Sequence, residues 1–166
     1  MKGAIGNAFI LNMVITFIII FFSLLIGSMA YSKAYKTKNF IMNAIDENIN
    51  NGDSFQDFSS YTKKGKEFND KVNEYLGRIG YPIAEKTNPS TCPSKDGYEK
   101  WKSPYAGEYE YCIYRKNYIT SADNNSIIQE KYNYMVLVYM KFDIPVIGQF
   151  IKLPVTGETK TYTNFK

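Results

Sequence analysis

Residues 3–32 read GAIGNAFILNMVITFIIIFFSLLIGSMAYS, and these thirty positions contain no Asp, Glu, Lys or Arg. At ~1.5 Å of rise per residue the stretch is about 45 Å long as a helix, more than the ~30 Å hydrocarbon core of a bilayer requires. Backbone polar groups in lipid must be satisfied within the segment, so a run this long and apolar is expected to be a single helix. Its aromatic residues are Phe9, Phe17, Phe21 and Phe22, and the first tyrosines arrive at Tyr31 and Tyr35, among Lys33, Lys36 and Lys38. Amphipathic rings and lysines are what a membrane–water interface favours.

From Asn12 on, the small and weakly polar residues of the segment, Ser28 and Ser32 apart, share one stripe. On a wheel of about 100° per residue, Asn12, Thr16, Ser23, Gly27, Ala30 and Ala34 fall within about 60° of one another. Ile41 and Ile45 continue the same stripe beyond the apolar run. Small residues let helix backbones approach closely in a membrane, and Asn, Ser and Thr can bond across the contact. The expectation is a rod of roughly 70 Å to Asn50, with one face packed against protein along its length. The stop comes at Asn50–Ser54, where Gly52 offers a left-handed cap.

Outside this helix the 166 residues leave about 110 for one modest domain. Two segments follow: 1–52, a membrane-spanning helix with its extension, and 53–166, an exported α+β domain. The net charge of +4 is mild, with basic and acidic residues interspersed, which is not the pattern of a nucleic-acid-binding face. With no histidine and only two cysteines, neither a zinc site of the usual type nor a His-activated nucleophile can be assembled. No cofactor or metal is expected. Asp96, Glu99, Glu108 and Glu110 form the nearest acidic cluster and read as a solvated face rather than a carboxylate hydrolase, so the chain is not expected to be an enzyme.

Cys92 and Cys112 bracket a proline-rich stretch, and in an exported domain an even pair reads as one disulfide. Closing a loop of about twenty residues adds ~3 kcal/mol on the chain-entropy view. Lysines on both sides of the apolar run leave the positive-inside count ambiguous, slightly in favour of a cytoplasmic domain, but large domains translocate largely regardless of charge. The cysteine pair favours a cytoplasmic N-terminus and an outer C-terminal domain. The alternative is a cleaved signal peptide, with Ser28-Met29-Ala30 as the small-x-small site. The chain would then be a secreted or tethered surface binding protein.

Within the outer part, Phe68, Val72, Tyr75, Leu76 and Ile79 recur at steps of three and four, which predicts a helix over 62–78. Residues 82–106 hold four prolines and read as loop. There, Tyr98, Trp101 and Tyr105 form either a surface recognition patch or a satellite core. Alternation predicts a strand from Glu108 through Tyr114, another over 131–142 and a last one over 156–163. The second has Tyr132, Tyr134, Val136, Val138 and Met140 on one face and Met135, Leu137 and Tyr139 on the other, as a central strand covered on both sides requires. The fold class is therefore α+β, with the helices covering a small antiparallel sheet. Leu153-Pro154-Val155-Thr156-Gly157 spells the LPxTG sorting pentapeptide, but ETKTYTNFK follows it instead of an apolar membrane stop. It is expected to be a strand entering the sheet.

Two stretches carry a family resemblance. One is MKGAIGNAFILNMVITFIIIFFSLLIGSMAYSKAYKTKNFIMNAIDENIN, and the other is YMVLVYMKFDIPVIGQFIKLPVTGETKTY. A short basic start leads into an apolar helix that continues outward, and the chain closes with strand, Ile-Pro turn and strand. This resembles the type IV pilin-like proteins, most closely the TadE-like minor pilins of tight-adherence systems. The resemblance implies a structural role in a pilus or related secretion assembly, with the membrane and other pilin-like subunits or assembly proteins as partners of the N-terminal helix. Processed prepilins carry a glutamate five residues after the peptidase cut. A cut after Gly3 places Ala8 there, and a cut after Gly6 places Leu11.

Overall fold

The computed structural model describes residues 2–50, 63–81, 92–101, 111–120, 129–143 and 150–165. Gly52 and the turns expected at 121–126 and 144–148 lie outside these residues, as does Tyr105. Helix α1 runs unbroken over Lys2–Asn50, 49 residues, and α2 over Lys63–Arg78. The strands are β1 (Glu99–Trp101), β2 (Tyr111–Thr120), β3 (Gln129–Asp143), β4 (Phe150–Glu158) and β5 (Tyr162–Phe165). All pairings are antiparallel, in the order β1-β2-β3-β4, with β5 also on β3. The α+β architecture read from the sequence, a long apolar helix followed by an antiparallel sheet, is the one observed.

One sheet face is covered by the helices. Ala34, Ile41, Ala44 and Ile45 of α1 and Phe68, Val72 and Leu76 of α2 are buried with Ile113, Tyr134, Val136 and Val138. The period-four spacing in both helices meets the period-two spacing of β3, so each element turns its apolar stripe inward. Thr37 lies fully buried in the α1 stripe, its hydroxyl donating to the Lys33 carbonyl at 2.9 Å, which satisfies the polar atom without a partner helix. The opposite face carries a smaller core of Cys112, Tyr114, Met135 and Leu137, closed over by Cys92, Tyr98 and Tyr139. Strand β3 is thus central and buried on both sides, as its two apolar faces predict.

The first difference from the sequence reading is β1, which lies inside the stretch expected to be loop. Glu99, Lys100 and Trp101 pair with Arg115, Tyr114 and Ile113. Three residues are too few to show a period of their own, and the ladder with β2 supplies the order. The second difference concerns the last strand, which is two strands on one track. From the Met135–Glu158 pair to the Tyr132–Tyr162 pair is three steps along β3 but four along the partner. The extra residue makes a β-bulge opposite Asn133. At its edge the Thr159 N–H donates to the Tyr134 carbonyl at 2.8 Å, and the Tyr134 N–H donates to the Thr159 hydroxyl at 3.0 Å.

The pentapeptide at 153–157 is part of β4, paired residue for residue with Val136 to Met140. Pro154 is tolerated because β4 is an edge strand there. Gly157 has a reason of its own. A Cβ at that position would meet Lys38 Cδ at 2.6 Å and Met42 Sδ at 2.9 Å, so a bare backbone lets α1 lie close on the sheet.

Helix α2 ends in a Schellman motif. Gly80 has φ of +59°, the Tyr81 N–H donates to the Leu76 carbonyl at 2.9 Å and the Gly80 N–H to the Gly77 carbonyl at 3.0 Å. The Lys33 ammonium donates to the Gly80 carbonyl at 2.8 Å, tying this cap to α1. Tyr81, buried after the cap, receives the Tyr139 N–H at 2.9 Å and donates its hydroxyl to the Tyr139 carbonyl at 3.0 Å. One oxygen therefore satisfies both polar groups of a peptide position on the central strand. Tyr81→Phe keeps the ring and removes both bonds, and is expected to cost about 1–3 kcal/mol because two hydrogen bonds to part-buried backbone groups are lost. Urea unfolding of the detergent-solubilised chain measures it, and an unchanged midpoint would show that water replaces the hydroxyl at no cost.

At the far end of α1, the Tyr162 hydroxyl donates to the Asp46 carboxylate. Partial burial raises the Asp46 pKa, and the nearby Lys160 charge opposes that shift. Glu47 and Lys71 pair between the two helices on the exposed side, and the Phe40 and Tyr75 rings stack with centroids 3.8 Å apart. The helix pair is thus fixed by ring stacking and an ion pair as well as by its apolar seam.

Candidate functional site

Two surfaces stand out. The first is residues 8–29 of α1, which are largely apolar and uncovered. Phe9, Met13, Phe17, Leu24 and Met29 are all at least two-thirds exposed, at 72%, 68%, 71%, 69% and 74%. Helix α1 is long and apolar enough to cross a membrane by length and composition. Burial begins at Ala30, which packs against the main core, and is complete at Ala34. The stripe read from the sequence is therefore divided. Ala30 and Ala34 hold the helix to its own domain, while Asn12, Thr16, Ser23 and Gly27 lie on the uncovered part.

On that part the hydroxyls are satisfied within the helix. Thr16 donates to the Asn12 carbonyl at 2.9 Å and Ser23 to the Ile19 carbonyl at 2.8 Å. Their donors are consequently spent on the helix's own carbonyls, and these two positions offer a neighbour packing by shape. Gly27 has no atom within 4 Å of the place a Cβ would occupy. Asn12 and Thr16 line an open groove together with Phe9, Met13, Phe17 and Ile20.

The second surface is the sheet face away from the helices. Cys92 and Cys112 are joined in a disulfide, with Cα atoms 5.8 Å apart. The segment after Cys92 is pinned by the Tyr114 hydroxyl, which donates to the Pro93 carbonyl at 2.7 Å. Tyr98 lies edge-on to Tyr114 at 6.5 Å and donates its hydroxyl to Glu158 at 2.7 Å. That hydrogen bond, with partial burial and the Glu158 charge behind it, pushes the Tyr98 phenol up to about 12. Burial pushes Tyr114 up to about 12 as well. Both phenols stay protonated in the physiological range and act as donors.

Tyr98 is thereby packed, part-buried, against the smaller core. Trp101 contributes backbone to β1, at the register position of Ile113. A feature missing from the sequence reading is Lys116, whose ammonium lies 5.4 Å from the Tyr98 ring centre and 5.0 Å from that of Tyr118. The alternation of β2 puts Tyr114, Lys116 and Tyr118 on one face, and that was the available signal.

No family model, curated protein or solved structure matches the chain. Among the described residues no group of three or more His, Cys, Asp or Glu is placed to hold a metal ion. Of the acidic cluster, Asp96 and Glu99 are exposed, and Glu108 and Glu110 lie outside the described residues.

Proposed function

We propose that the protein is a single-pass, membrane-anchored structural subunit, a minor-pilin or pseudopilin-like component of a tight-adherence or type IV-like pilus or secretion assembly. Its N-terminus is cytoplasmic and its sheet domain extracytoplasmic. The observation that carries this reading is the change of character within one unbroken helix. The first half of α1 is apolar and bare, and the second half is the spine of a folded domain. A rigid rod of this kind transmits lateral packing in the membrane to the position of the domain outside. The disulfide supports the orientation, because such bonds persist in oxidising compartments.

A second reading has one observation in its favour. The main core starts at Ala30–Ala34, so a chain cut after Ala30 would retain nearly all of it. A secreted or tethered binding protein is the corresponding function.

Assembly through the stripe is tested by Gly27→Leu, with Leu25→Ile as the control. The leucine fills the open space over Gly27 and makes the segment more apolar, so insertion is expected to persist. The leucine would hold a neighbouring backbone away from the stripe, so partner recovery from solubilised membranes is expected to fall. Leu25 lies across the helix, and its variant is expected to recover partners normally. Equal recovery from both would reduce α1 to an anchor.

A further inference from the structure

We propose that Lys116 and Asn133 join through an amide bond between their side chains, with Glu158 carrying the proton from one nitrogen to the other. The proposal is independent of the membrane reading of α1. It starts from the register of three strands. Lys116 pairs with Asn133 across β2 and β3, and Met135, two residues further along β3, pairs with Glu158 of β4. Paired residues share a face of the sheet, and alternate residues return to it. Tyr114 and Met135 belong to the smaller core, so Lys116, Asn133 and Glu158 all lie on the face away from the helices. An amine, a carboxamide and a carboxylate thus occupy neighbouring positions on one face.

Their side chains are engaged in a way that packing alone leaves unexplained. Asn133 is only 4% exposed. Its Nδ2 donates to Glu158 Oε2 at 3.2 Å, whereas its Oδ1 is buried with no hydrogen-bond partner among the described residues. Leaving such an oxygen unpaired costs about 1–3 kcal/mol. Lys116 is part-buried, with Cε 4.0 Å from the place a Cβ on Gly97 would occupy. Its ammonium stands 5.4 Å from the Tyr98 ring centre and 5.0 Å from that of Tyr118. The same Tyr98 donates its hydroxyl to Glu158 at 2.7 Å. The lysine stem is therefore held between the 97–98 segment and the sheet, beside the carboxamide it faces.

The chemistry balances with these groups alone. The ammonium gives one proton to Glu158, and the freed Nζ lone pair attacks Asn133 Cγ, forming the new C–N bond and moving the carbonyl pair to Oδ1. Glu158 passes its proton to Nδ2 along the existing hydrogen bond. As the pair on Oδ1 returns, the Cγ–Nδ2 bond breaks and ammonia leaves, taking the second proton lost by Nζ. An alkylammonium and a primary amide become a secondary amide and an ammonium ion, with no change of oxidation state. Glu158 is exposed, which gives the ion a way out. Burial of Asn133 keeps bulk water from competing at Cγ, and the strand register holds the reactants as neighbours, which makes the step unimolecular. The new amide N–H then replaces Nδ2 as donor to Glu158.

The test is a peptide map of the full-length, detergent-solubilised chain after thiol reduction. The peptides containing Lys116 and Asn133 are expected as one branched species, lighter than their sum by one ammonia. Lys116→Arg keeps a cation between the rings but has no amine to acylate, and is expected to give two separate peptides. Glu158→Gln keeps the length and a hydrogen-bonding end but cannot carry the proton. Its linkage after refolding is expected to form roughly a hundredfold more slowly, or not at all. Separate, full-mass Lys116 and Asn133 peptides from the unaltered chain would overturn the bond whatever the variants do. Linkage as fast in Glu158→Gln as in the unaltered chain would overturn the role of Glu158.

Discussion

Truncation of Ile41 to alanine is expected to destabilise the sheet domain by about 2–5 kcal/mol. Ile41 is fully buried at the point where α1 lies on the centre of the sheet, in one core with Val136, Val138 and Leu76. The cost combines lost burial with a cavity between two rigid elements, neither of which can collapse freely. Met29→Ala, twelve residues earlier on the same helix, removes a side chain that is 74% exposed and is expected to leave unfolding unchanged. The comparison locates the boundary at which α1 becomes part of the domain. Urea midpoints followed by the tyrosine near-ultraviolet signal measure both, and equal small effects would mean that the outer half of α1 is not part of the cooperative unit.

The second large effect concerns the disulfide. Replacing Cys92 and Cys112 together by alanine opens a loop with a sequence separation of 20, and is expected to cost ~3 kcal/mol. The loss should be local in its structural consequences. The smaller core, with Tyr98 and Tyr114, holds the segment after Cys92 against β2 and β3, whereas the helix-facing core contains neither cysteine. Hydrogen exchange is expected to rise in residues 92–101 and to stay low in 134–138. If protection were lost equally across both faces, the two cores would form a single cooperative layer and the disulfide would hold the whole fold.

Much of the architecture was legible because it rests on short-range periodicity. The steps of three and four from Phe68 to Leu76 defined α2, and the two apolar faces of residues 132–140 marked β3 as central. The disulfide followed from there being only two cysteines. What could not be read depends on partners remote in sequence. β1 has three residues and exists through its ladder with β2. Tyr81 reads as an ordinary aromatic after a helix, and its role appears only when Tyr139, 58 residues away, is brought to its hydroxyl.

Gly157 is another such case. It belonged to a sorting-like pentapeptide on paper, and to a helix–sheet contact in the fold. The small-residue stripe was legible as a single face, but its division could not be seen. Ala30 and Ala34 serve the chain's own domain, and Gly27 does not. The stripe residues themselves are small on both sides of that division, and the position of the sheet separates them.

The most direct test of the membrane-anchored reading is the intact mass of the mature chain, taken together with its resistance to alkaline extraction from membranes. The account predicts a chain that retains residues 13–32, includes the Cys92–Cys112 bond and stays with the bilayer after extraction. A mass beginning at Tyr31, found in the culture fluid, would contradict it and make the apolar half of α1 a signal peptide.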